Sequence, residues 1–87
     1  MSRIDEMRTL LGALKPISLD IIDESHKHAG HAGARDGGGH FVVNIVSQQF
    51  VGKNMVARHR MIYSSLGEMM KGNIHALTIN ALTPDGK

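Results

Sequence analysis

Six histidines and no cysteine set the chemistry open to this chain. Four of them, His26, His28, His31 and His40, fall in the stretch from Asp23 to Ser47, with five of the ten glycines. Imidazole is the commonest ligand for borderline metal ions, and a glycine-rich loop can aim it. Without cysteine, disulfides, thiol nucleophiles and thiolate metal sites are excluded, so any metal held by this chain alone is held through nitrogen or oxygen. His26, His28 and His31 follow no HExxH or Cys-His pattern, and histidines in polar turns are the ordinary alternative to ligands. His75 opens an apolar run. It is either a boundary histidine bonded to a loop carbonyl or a fixed ligand opposite the loop. His59, between Met55 and Ile62, reads as a core histidine with both nitrogens satisfied.

A second group could contact anions. Phe50-Val51-Gly52-Lys53 precedes a helical stretch, whose exposed amides and dipole favour negative charge, and Lys53 adds a positive one. Arg58 and Arg60 flank His59 on other faces and are candidates for contacts with nucleic acid or an acidic protein. Nucleic-acid domains of the KH type clamp backbone with a GxxG loop. Gly52-Lys53-Asn54-Met55 offers only the first glycine, and Phe41, Phe50 and Tyr63 are the only aromatics available to stack on bases. For hydrolysis there is little: Ser25 adjoins His26 without a triad, and no carboxylate pair is placed. The chain does not read as an enzyme.

Elements must position these groups. Ser2 to Leu14 reads as a helix with an apolar stripe of Ile4, Met7, Leu11 and Leu14, an Asp5/Glu6 first turn, and Pro16 as its stop. Ile17 to Ser25 alternates as a half-buried strand with Ile17, Leu19 and Ile21 inward. A long loop follows. Phe41 to Ser47 is more continuously apolar and suits a central strand. Asn54 to Lys71 is helical, with Met55, His59, Ile62, Leu66 and Met69 inward and a break near Ser64 to Gly67 that makes two consecutive helices. Ile74 to Leu82 is a third strand with His75, Leu77, Ile79 and Ala81 on one face. The order α-β-β-α-α-β implies an antiparallel pair, then a helical crossover to a parallel strand: a two-layer α+β sandwich with a three-stranded mixed sheet and helices on one face. If the second and third strands are parallel neighbours, His40 and His75 begin them at the same end, where the loop also lies.

Eighty-seven residues make one domain, 1–87. A hydrophobic content of 41% argues against disorder, and with so few aromatics the core must be aliphatic and methionine-rich. No apolar run approaches the roughly 20 residues of a membrane span, and no signal-peptide pattern opens the chain, so a soluble cytoplasmic protein is expected, with an organelle as the alternative. The net charge of +2 is unevenly spread. Met1 to Glu24 carries five acidic residues against three basic, and Ser25 to Lys71 six basic against two acidic. That skew permits an anionic partner without demanding one.

Several motifs together resemble the BolA family over nearly the whole chain: Asp23-Glu24-Ser25-His26-Lys27-His28-Ala29-Gly30-His31, His40-Phe41, Ile45-Val46-Ser47, Phe50-x-Gly52-Lys53, Arg58-His59-Arg60-x-Ile62-Tyr63, and Ile74-His75-Ala76-Leu77 leading to Thr83-Pro84. The resemblance implies a class II KH-like α-β-β-α-α-β fold. It also implies pairing with a monothiol glutaredoxin to share a [2Fe-2S] cluster, for which the glutaredoxin supplies a cysteine and bound glutathione a second thiolate. His75 is the carried-over ligand, and alignment of the loop points to His28 as the second, with His31 and His26 the alternatives. Imidazole in place of thiolate should raise the cluster's reduction potential, as in Rieske centres. The same resemblance implies an alternative: DNA-binding transcriptional regulation of stress response and cell morphology, through Gly52, Lys53, Arg58 and Arg60. A stand-alone zinc site is a third option, needing no partner. The isolated protein is expected to be free of cofactor, and a monomer or weak dimer.

Overall fold

Ser2 sets the first element. In the computed structural model, which describes residues 2–24 and 39–87, its Oγ accepts the Asp5 amide at 3.1 Å and caps α1 (Arg3–Leu11). Asp5 and Glu6 lie in the first turn, at the positive end of the helix dipole. A 3-10 turn, Gly12–Leu14, tightens the last turn. Lys15 then takes left-handed backbone at φ 50, and Pro16 follows.

The chain enters β1 (Ser18–Asp23), returns as β2 (Gly39–Val46), passes through a 3-10 turn (Gln48–Phe50) and α2 (Met55–Leu66), and ends in β3 (Ile74–Leu82). The sheet order is β1-β2-β3, antiparallel between the first two and parallel between the last two, as the sequence implies. Gly67, at φ 52, interrupts the helical crossover where expected. Its second part is a five-residue 3-10 turn, Gly67–Lys71, rather than a second α-helix.

One face of the sheet is covered. Met7, Leu11 and Leu14 from the first helical segment and Ile62, Leu66 and Met69 from the second pack on Ile21, Phe41, Val43, Ile45, Ile79 and Ala81. Leu19 and Ile21 face this core as expected, but Ile17 is 66% exposed because it precedes the strand. The inward stripe of α2 also differs from expectation. It runs through Arg58, Ile62 and Leu66, and Met55, at the first helical position, is 48% exposed. The opposite sheet face is mixed: Val42 and Val46 are half-buried, and Asn80 Nδ2 donates to Asn44 Oδ1 at 2.8 Å.

Candidate metal-binding site

Because β2 and β3 run parallel, their first residues meet at one end of the sheet. Gly39 N–H donates to Asn73 O at 3.0 Å, and Glu24 N–H donates to His40 O at 2.8 Å, so the end of β1 reaches the same place. The β2–β3 register is irregular here. Gly39 is opposite Ile74, but His40 is opposite Ala76, which leaves His75 as one extra residue on β3. Such an extra residue re-aims a side chain. Ile74 is buried, His75 is exposed, and beyond the irregularity Ile79 and Ala81 return to the core. The expectation that His75 shares the face of Leu77, Ile79 and Ala81 is therefore corrected: plain alternation fails at the irregularity. The His75 ring lies beside the half-buried His40 ring, centroids 5.1 Å apart and planes tilted by 39°.

Among the described residues no group of three or more His, Asp or Glu side chains converges to hold a metal ion. His40 and His75 are two adjacent imidazole rings, and a metal at this end of the sheet needs further ligands from elsewhere. His26, His28 and His31 lie outside the described residues.

His59 is not the fully satisfied core histidine that its position suggested. It is half-buried, stands edge-on to Tyr63 at 6.5 Å, and its buried Nε2 has no hydrogen-bond partner among the described residues.

The basic group divides. Gly52, at φ 78, completes the turn into α2, and Lys53 and Arg60 are exposed. Asn54 Oδ1 already accepts the Ala57 amide at 2.8 Å, so the helix N-terminus has a side-chain cap of its own. Arg58, expected at the surface, is 7% exposed. Its Nε donates to Lys53 O at 2.9 Å, and its Nη1 donates to Ala81 O at 2.9 Å and Lys87 O at 2.8 Å. With those donors engaged it is a structural residue, not a surface contact. The i, i+4, i+8 spacing of Arg58, Ile62 and Leu66 was the available signal, hidden by the expectation that charge faces water.

A helix-covered mixed sheet with an exposed histidine at one end defines a small α+β domain. The chain belongs to the BolA family: the BolA-like protein family model matches residues 10–86. It resembles the solved BolA1 of Arabidopsis thaliana with a TM-score of 0.85 and 42% identity, covering 100% of this chain and 97% of that one. It is 41% identical to the "DNA-binding transcriptional regulator BolA" of Escherichia coli over 93% of this chain and 72% of that protein. It is 47% identical to the "SufE-like protein 1, chloroplastic/mitochondrial" of Arabidopsis thaliana over 82% of this chain but only 20% of that much longer protein. Among the described residues no helix is long and apolar enough to cross a membrane.

Proposed function

We propose that this protein is a non-enzymatic partner of a monothiol glutaredoxin, with which it co-ligates a bridging [2Fe-2S] cluster in iron-sulfur trafficking or in iron and redox regulation. One observation carries the reading. His75 is exposed at the sheet end where Glu24 and Gly39, the two attachment points of segment 25–38, lie side by side. A ligand on that segment and His75 therefore start from the same end of the fold. The donor chemistry fits: the chain offers imidazole and no thiolate, so thiolates come from the glutaredoxin cysteine and glutathione. His75 is the first ligand in this proposal and His28 the second, with His31 and His26 as substitutes. When bound, the cluster supplies one-electron redox chemistry and a transferable iron-sulfur unit. The chain's part is to hold His75 on a paired strand and leave its ring accessible. Membership in a family whose members are named as BolA-like proteins or, in E. coli, as a regulator supports a binding role over catalysis. A cytoplasmic setting belongs to the same proposal.

The test is anaerobic titration of the protein into a cluster-loaded monothiol glutaredoxin homodimer, followed by visible circular dichroism. The wild type gives a new spectrum saturating at one-to-one, and His75→Ala and His28→Ala each weaken it. A wild-type spectrum that never changes sinks the proposal.

The name of the E. coli relative favours a second reading, DNA binding. In this chain Gly52, Lys53 and Arg60 would form the contact, without Arg58. Affinity for duplex DNA would then fall steeply with salt and drop in Lys53→Ala.

A further inference from the structure

We propose that the outer edge of β3 is a docking surface for a second copy of this chain, whose own β3 adds to it antiparallel across a two-fold axis and joins the two sheets into one. The argument starts from the main-chain groups that β3 leaves unused. Leu82 O accepts the Ser47 amide, so Leu82 turns its main chain toward β2, and by alternation so do Asn80, Thr78 and Ala76. Leu77, Ile79 and Ala81 turn theirs outward. Ala81 O is accordingly taken by Arg58 Nη1, at 2.9 Å, rather than by β2. Among the described residues nothing pairs with the outward amides and carbonyls of Leu77 and Ile79. An axis through Thr78 satisfies all of these groups. Leu77 then faces Ile79 of the second copy, and Ile79 faces its Leu77, each pair exchanging two hydrogen bonds. The observed bonds also fix this register. A shift toward Ala81 needs the carbonyl that Arg58 already holds, and a shift toward His75 meets the irregularity at the start of the strand.

The side chains select a copy of the same strand. Ile74–Leu82 contains no Asp, Glu, Lys, Arg or Pro, the residues that ordinarily guard an exposed edge. Paired with itself, it sets no like charges opposite each other. On the helix-covered face, half-buried Leu77 meets Ile79 of the other copy, which extends the apolar layer across the joint. On the open face Thr78 meets Thr78, and Ala76 meets Asn80. The other edge of the sheet is unsuited to the same pairing. Arg8 Nη1 holds Leu19 O at 3.1 Å, and β1 paired with itself gathers Asp20 and Asp23 of both copies. Assembly therefore closes at two instead of growing into a filament. The interface is small, below about 1,200 Å² in total, so the dimer is weak and forms at roughly 0.1–1 mM protein. None of this rests on the proposed cluster role.

The decisive experiment is an isotope-filtered NOE spectrum on an equimolar mixture of labelled and unlabelled full-length chain at about 1 mM, with sedimentation velocity over a dilution series. The filtered spectrum shows a contact between the α-protons of Ala76 and Asn80. Directly opposite residues of a non-hydrogen-bonded antiparallel pair lie about 4.5 Å apart, whereas residues four apart on one strand are about 13 Å apart, so the contact arises only between copies. The amide resonances of Leu77 and Ile79 move with concentration, and sedimentation passes from monomer to dimer and no further. Thr78→Lys, at an exposed position, places two like charges at the axis and raises the dissociation constant at least about fivefold. Asp20→Lys, on the exposed side of β1, leaves it unchanged. A chain that stays monomeric at about 1 mM, a dimer without the Ala76–Asn80 contact, or one that survives Thr78→Lys intact overturns the proposal. The wild-type spectrum decides even if a variant folds poorly. Since no glutaredoxin is present, failure here says nothing about the cluster, and a failed cluster titration leaves the dimer standing.

Discussion

The Arg58 guanidinium reaches main-chain oxygens of three separate segments: Lys53 before α2, Ala81 in β3 and Lys87 beyond it. It also lies 6.0 Å from the centre of the Phe50 ring. Hydrogen bonds to charged groups are worth about 1.5–3 kcal/mol each, and a buried oxygen stripped of its donor costs about as much. Truncation removes several at once, so Arg58→Ala should lower the unfolding free energy in urea by roughly 2–4 kcal/mol. For a small domain that is a large share of the total. Arg60→Ala, two residues away and exposed, should stay within about 0.5 kcal/mol. A loss with Arg60→Ala equal to that with Arg58→Ala would overturn this division of the basic pair. Sequence could not separate them, because helical spacing makes Arg58 eligible for the core stripe but cannot supply the carbonyls that make a buried charge tolerable. His75 was misplaced for a related reason. Its identity and its strand were legible, but the extra residue beside it depends on how β3 meets Gly39 across the sheet.

Element boundaries were more legible than element faces. The apolar spacing of Met7, Leu11 and Leu14 and the Asp5/Glu6 first turn give α1 directly, and Gly67 marks the end of α2. The face of α2 was not legible: Met55 and Arg58 exchange the roles that hydrophobicity assigns them. The joint between α1 and β1 carries a strain that can be measured. Lys15 holds φ 50 and ψ 55, and its amide donates to Gly12 O at 3.0 Å. A side chain there costs about 1–2 kcal/mol of steric strain, of which glycine would recover part after its larger entropy loss. Lys15→Gly should therefore raise stability by about 0.5–1 kcal/mol. A thermal melt shows it as a higher midpoint, and a lower midpoint would mean that the joint is unstrained.

The arrangement of the whole chain follows from pairing rules more than from any residue. Two apolar strands joined by a loop pair antiparallel, a helical crossover returns the third strand parallel, and β2 is left in the centre. That order puts His40 and His75, far apart in sequence, within ring contact, which is why the meeting of their two strand ends was legible while the offset of His75 was not. It also fixes where stability concentrates. Among the described residues β2 is the only strand with neighbours on both sides, and Phe41, Val43 and Ile45 project from it into the core. β1 and β3 are edges. Opening β2 requires both ladders and the helical layer to separate, so its amides should exchange only through global unfolding. Native-state hydrogen exchange in low urea tests this. The slowest amides should belong to residues 41–46, with a urea dependence equal to that of global unfolding, while amides on the outer edge of β3 open with a smaller slope. If the slowest set lay in α1 instead, the helical layer would be the stable unit, and the sheet end that holds the histidine pair would open independently of it.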